Sequence, residues 1–224
     1  MNALIVIAKR PAAGHTKTRL TPPLTRAQAA ELYESFLLDT LDLARAVPDV
    51  TRLIYYAPPE AAAYFADLAP DFLLTPQAGL DLGERLDHVL TRCLRAGFQR
   101  GVVMDSDSPT LPPAYVAQAF HDLANHDVVL GPCDDGGYYL IGLTRPQPRL
   151  LREVQMSQPN VLQDTLALAE QARLRVALLP AWYDVDTVQE LAQLQTELAG
   201  GSAAAASHTR ARLAALATPV GERS

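Results

Sequence analysis

Cysteine, lysine and long apolar runs are all scarce in this 224-residue chain. The two cysteines, Cys93 and Cys133, lie far apart and offer neither a disulfide framework nor thiolate ligand spacing. The five histidines have no metal spacing, and His121 and His126 do not share a helix face. No apolar run approaches the roughly 20 residues that span a bilayer. Leu4–Ala8 is too short for a signal-peptide core and has no basic residue before it, so a cytoplasmic protein without membrane contact is expected. Excess positive charge is also missing. The net charge is −6, which argues against general affinity for nucleic acid or membrane, so an anionic ligand would need a local basic cluster. The glycine fingerprint of dinucleotide-binding folds is absent, and Thr16 stands where a Walker loop needs glycine before its lysine, here Lys17. Ser106 and Ser108 have no glycine elbow, and only His15 falls in a segment of chemical interest, so covalent serine catalysis is not expected.

What is present is ordinary globular composition: 49% apolar, 20% charged and 6% aromatic residues, enough for a full core. Strand-like and helix-like segments alternate. Ala3–Ala8 is a continuous aliphatic run, as in a strand buried on both faces. Thr25 and Gln28 make a capping box ahead of an apolar stripe from Ala29 to Ala44. Further strands are expected at Arg52–Ala57, Phe72–Thr75, Gly101–Met104, Asp127–Leu130, Tyr138–Leu143 and Arg175–Leu179. Helices are expected from Pro59 to about Ala69, after Gly83 through Cys93, from Pro112 to about Asn125, over Pro159–Arg173 and over Thr187–Leu198. The alternation predicts a single three-layer α/β/α domain with a mainly parallel sheet over residues 1–199. Residues 200–224 are Ala- and Ser-rich, a peripheral or partly disordered tail in which 207–217 can form one helix.

Ligands of such sheets bind beyond the carboxyl ends of the strands, and four unusual segments follow strands. Lys9-Arg10 with Gly14 and Lys17-Thr18-Arg19 gathers four positive charges around a glycine, which suits phosphates, though a solvated basic loop is an equal reading. Both lysines of the chain fall here, against 17 arginines overall. Asp105-Ser-Asp107 ends a buried strand. In extended chain the two carboxylates would point the same way and could share a Mg²⁺ or Mn²⁺, whereas the plain alternative is a turn before Pro109. Asp134-Asp135-Gly-Gly-Tyr-Tyr139 is explained as a hairpin turn. Asp184-Val-Asp186 precedes a Thr187/Glu190 capping box, leaving both aspartates available to a cation.

Together the segments resemble a GT-A-like family, the radical-SAM/selenodomain-associated transferases, related to nucleotide-diphospho-sugar transferases. The match rests on Lys9-Arg10-Pro11 with Gly14 and Lys17–Leu20, Ser106–Leu111, Gly131-Pro132 with Asp135–Gly142, Asp184–Thr187, and Gly79 with Asp81–Arg85, within about residues 3–195. The resemblance implies a nucleotide-binding sheet with a metal at the end of the fourth strand. By it, Lys17 and Arg19 contact phosphates, Asp107 is the principal ligand of Mg²⁺ or Mn²⁺, and Gly79 and Arg85 lie near the nucleoside. Asp184 or Asp186 would approach the metal or the acceptor. Asp105 as second ligand follows from spacing alone, because the family has a small residue there. The expected activity is metal-dependent glycosyl transfer from a nucleoside-diphosphate sugar to a small-molecule hydroxyl, with Asp135 or Asp186 as base. The rival activity is nucleotidyl transfer from a nucleoside triphosphate to a phosphorylated metabolite, as in phospholactate guanylyltransferases. A non-catalytic nucleotide-binding protein is the third reading.

Overall fold

The aliphatic run after Met1 forms a strand, β1 (Asn2–Lys9), whose residues Ala3 to Val6 are fully buried in the computed structural model. The structure describes residues 1–200 and 206–217; the rest of the expected tail, 201–205 and 218–224, lies outside the described residues. Along the chain follow β2 (Val50–Ala57), β3 (Leu73–Pro76), β4 (Arg100–Met104), β5 (Val128–Pro132), β6 (Tyr138–Leu143) and β7 (Val176–Leu178). They make one seven-stranded sheet in the order β3-β2-β1-β4-β6-β5-β7. The sheet is mainly parallel, as the alternating pattern requires, and β6 runs antiparallel to both its neighbours. The reason is local: the Asp135-Gly-Gly turn joins β5 to β6 too tightly for a crossover, so the two strands form a hairpin.

The helices are α1 (Arg26–Ala46), α2 (Ala62–Leu68), α3 (Leu82–Arg95), α4 (Pro113–Asp122), α5 (Pro148–Arg152), α6 (Val161–Gln171), α7 (Val188–Gly200) and α8 (Ser207–Ala217). Helix α5 was not expected. It is a single short segment entered at Pro148, whose fixed φ suits the first helical position, and it has too few residues to show a periodic stripe. The chain divides into two compact units.

The first unit comprises Met1–Arg10, Leu43–Asp105 and Leu111–Tyr183 and contains the sheet. Alternate strand residues point to opposite faces. On one face Ala3, Ile5, Tyr55, Val103, Val128 and Ile141 join Leu86, Val89 and Leu90 of α3, Leu150 and Leu151 of α5, and Ala169 of α6 in one apolar cluster. Burial of such side chains contributes roughly 1.5–3 kcal/mol each before the entropy of ordering is counted. The opposite face presents Leu4, Val6, Val102 and Met104, also buried, and α4 packs on β4 and β5 with Val116, Ala119 and Phe120 inward.

The second unit comprises Pro11–Asp42, Ser106–Thr110 and the chain from Asp184 onward. Its longest element is α1, and the predicted capping box is formed there. The Thr25 N–H donates to Gln28 Oε1 at 2.8 Å, and the Gln28 N–H donates to Thr25 Oγ1 at 3.2 Å. The apolar stripe Ala29, Leu32, Tyr33, Phe36, Leu37 and Leu41 is buried. Helix α8 docks on α1 through polar contacts. Asp39, buried on α1, accepts from the His208 N–H at 3.0 Å and the Thr209 N–H at 2.8 Å, so an aspartate of one helix caps the start of the other.

Candidate active site

The basic segment after β1 folds as two turns. Thr16 donates through both its N–H and Oγ1 to the Ala12 carbonyl, each at 3.1 Å, and this first turn contains Gly14. Lys17 then takes a left-handed conformation, φ 49°, which is uncommon for a residue with a side chain. It leads a 3₁₀ turn over Thr18–Leu20, whose Leu20 is buried. The geometry separates the two cations expected on phosphates. The Lys17 side chain is only 5% exposed and points inward, whereas that of Arg19 is 74% exposed.

Lys17 meets two carboxylates. Its Nζ lies 2.8 Å from Asp107 Oδ1 and 2.8 Å from Asp186 Oδ1. Arg19 Nη1 is 3.8 Å from Asp186 Oδ2. The two acidic segments are tied by backbone as well, since the Val185 N–H donates to the Asp107 carbonyl at 2.9 Å. The start of α7 explains why Asp186 turns toward the lysine: Glu190 Oε2 takes the N–H groups of Asp186 and Thr187, so the cap is supplied by Glu190. On the other side the ammonium is 6.0 Å from the ring centroids of Tyr33 and Phe36, and Tyr33 Oη shares a buried 2.9 Å hydrogen bond with Ser106 Oγ. Burial alone would favour the neutral amine. Asp107 and Asp186 override it and hold the Lys17 pKa above the ordinary lysine value, so the group is an ammonium at neutral pH.

Asp107 and Asp186 remain 34% and 43% exposed, so ligands can reach their oxygens. Hard oxygen donors of this kind suit Mg²⁺ or Mn²⁺, and two carboxylates drawn to one cationic centre fit such an ion. Asp105 behaves differently. The chain bends at Ser106 and Asp107, so the strand alternation that would have aligned Asp105 with Asp107 stops at Met104. Asp105 belongs to the first unit, where its N–H donates to the Tyr139 carbonyl at 3.1 Å.

Asp184 belongs to the second unit, whereas Lys9, Arg10, Gly79, Arg85 and Asp135 fall in the first. Lys9 is the exposed last residue of β1. The Arg10 N–H donates to the Ala57 carbonyl at 2.7 Å, and its guanidinium lies 5.6 Å from the Tyr64 ring centroid. Gly79 and Arg85 are brought together: Arg85 Nε donates to the Gly79 carbonyl at 3.1 Å. Gly79 has φ +133° and packs so closely on α3 that a Cβ would sit 2.8 Å from the Arg85 nitrogen. Asp135 accepts from the Gly137 N–H at 2.8 Å, stabilising the hairpin, and Gly136 at φ +88° lies where a Cβ would collide with the Pro159 carbonyl. Two structural participants had no sequence signal. Gln77 Nε2 donates to the carbonyls of Ala8 and Tyr55 at 3.0 and 2.8 Å, joining the ends of β1 and β2. The Tyr33–Ser106 pair is the other, since Tyr33 reads as one more member of an apolar stripe.

The family model described as "Uncharacterized protein conserved in bacteria (DUF2064)" matches residues 40–158. Among solved structures, a candidate nucleotide-diphospho-sugar transferase from Desulfovibrio desulfuricans G20 superposes with a TM-score of 0.87 at 35% identity, covering 96% of this chain and 94% of that one. A 2-phospho-L-lactate guanylyltransferase from Methanothermobacter thermautotrophicus is 27% identical over 184 residues, 80% of this chain and 78% of the relative. At the level of fold alone, Rv0371C from Mycobacterium tuberculosis H37Rv, solved as a complex with manganese, gives a TM-score of 0.53 at 18% identity, covering 86% and 97% of the two chains. The fold is that of nucleotide-diphospho-sugar transferases, and the relatives are transferases.

Proposed function

The chain belongs to the DUF2064 family, and from that premise we propose a metal-assisted transferase that moves a sugar from a nucleoside-diphosphate sugar to the hydroxyl of a small molecule. The observation that carries this reading is the Lys17 ammonium held 2.8 Å from both Asp107 and Asp186. The solved relative at 35% identity supports the donor class. On the resemblance carried by the four segments together, we place the chain in the radical-SAM/selenodomain-associated branch.

In this reading Asp107 and Asp186 hold Mg²⁺ or Mn²⁺, which supplies positive charge to the leaving diphosphate. Lys17 offsets the charge of the two carboxylates, so that an anionic donor is not repelled, and with Thr18 and the exposed Arg19 it forms the phosphate-binding stretch. On the sequence motifs alone we assign Lys9, Arg10, Gly14, Gly79 and Arg85 to nucleotide contact. Asp105 is a further candidate ligand, and Asp186 or Asp135 would take the acceptor's proton. Nucleotidyl transfer is the second reading, favoured by the guanylyltransferase relative. It would use the same carboxylates and release pyrophosphate.

The two are separated by product. The protein is incubated with Mn²⁺ and either nucleoside-diphosphate sugars or nucleoside triphosphates, each with pooled hydroxyl and phosphorylated acceptors, and phosphorus products are resolved. Acceptor-dependent release of nucleoside diphosphate supports glycosyl transfer. Acceptor-dependent pyrophosphate from a triphosphate overturns it.

A further inference from the structure

We infer that the first unit carries a separate anion site on α3 and α5 that takes a small phosphate-bearing anion. His88, Arg92 and Arg95 follow one another along α3 at spacings of four and three residues, so they share one helix face. With Asp87, Thr91 and Arg152 they line an open cavity of about 520 Å³. That lies within the range of roughly 300–1,000 Å³ typical of small-molecule sites.

The charges of this wall are organised. Asp87 is buried, and its two oxygens are both used: Oδ1 accepts from Thr91 Oγ1 at 3.0 Å and Oδ2 from Arg152 Nε at 2.5 Å. Its negative charge is thus answered within the wall, and it fixes the Arg152 guanidinium, which arrives from a different helix. The His88 ring is fixed as well, its Nδ1 2.9 Å from Tyr55 Oη. Arg92 and Arg95 are exposed and form no ion pair among the described residues. Two uncompensated guanidiniums beside a third, pre-positioned one make a local cationic surface on a chain of net charge −6. Cations in the last turn of a helix also complement its dipole, and this accounts for Arg92 and Arg95 singly. It does not account for Arg152 or for the cavity between them. Guanidinium forks match phosphate oxygens in pairs, which selects a phosphate-bearing ligand.

Inorganic pyrophosphate is the probe, titrated calorimetrically into the full chain without divalent cations at low ionic strength. The wild type binds it. Arg92→Ala with Arg95→Ala weakens binding by about tenfold or more, as loss of charge-assisted contacts implies, and Arg92→Lys with Arg95→Lys weakens it less. Arg19→Ala, which probes the phosphate stretch of the second unit, leaves it unchanged. Both α3 arginines are exposed, so the alanine variant stays folded and loses only their contribution to the helix dipole, a fall of a few degrees in melting temperature at most. Undiminished affinity in that variant, no binding to the wild type at millimolar pyrophosphate, or loss on Arg19→Ala instead would each overturn the site, and the transferase reading is decided separately by its reaction products.

Discussion

At Lys17 two opposed effects meet: burial strips water from the ammonium, and Asp107 with Asp186 supply opposite charge that more than compensates. Such a lysine is structural as well as chemical. Replacing it with methionine leaves two carboxylates facing each other without their cation. Removal of one partner from a fully buried pair costs about 3–5 kcal/mol, and the partial exposure of both aspartates scales this to about 2 kcal/mol. Urea denaturation of Lys17→Met is expected to show that loss, and adding Asp107→Asn with Asp186→Asn to recover part of it, as a coupled set requires. Additive losses would mean the three groups act independently. The folded-state pKa of Lys17 is raised, so its contribution is complete below the unfolded lysine value and fades only as pH climbs through the raised one. The penalty should therefore be the same at neutral and mildly alkaline pH. The sequence marked Lys17 by its rarity among 17 arginines and marked Asp107 and Asp186 by their place after strands. It did not show that Lys17 turns inward, because that depends on one left-handed residue and on Asp186, which is 169 positions away.

Among the elements, the strong local signals predicted what formed. The Thr25/Gln28 box starts α1, and the Asp135-Gly-Gly turn makes the β5–β6 hairpin. Where a signal was weak or its premise local, the outcome differed: α5 was too short for a stripe, and the alignment of Asp105 with Asp107 assumed extended chain where the backbone bends. Edge strand β7 is the shortest in the sheet and depends on a specific anchor. Asp127, just before β5, accepts from the Arg175 N–H at 2.9 Å and from Arg175 Nε at 3.3 Å. The Arg175 backbone bond, followed by its side chain and Arg145, holds the Asp127 carboxyl below the usual carboxylate range. A depressed carboxyl contributes above its unfolded pKa and loses that contribution as pH falls through the folded value. Asp127→Asn should therefore cost about 1 kcal/mol at neutral pH, the worth of one such hydrogen bond. The difference from wild type should shrink as pH falls below the ordinary carboxylate range. Chemical denaturation across that range measures it, and a pH-independent difference would assign the loss to packing.

For the whole molecule, an acidic chain of net charge −6 has to collect anionic donors locally, and its two lysines stand at the end of β1 and in the stretch that joins it to α1. Parallel strands could be inferred from alternation alone, whereas the strand order and the antiparallel β6 required the register. Among the described residues no helix is long and apolar enough to cross a membrane. The account stands on one cation site made by Asp107 and Asp186 that works together with a nucleotide. Electron paramagnetic titration of Mn²⁺ into the protein, with and without a panel of nucleoside diphosphates, tests it directly. Bound Mn²⁺ should increase when the cognate nucleotide is present, and Asp107→Asn or Asp186→Asn should each weaken it by about tenfold or more. Equal Mn²⁺ binding by the wild type and both variants would contradict the account.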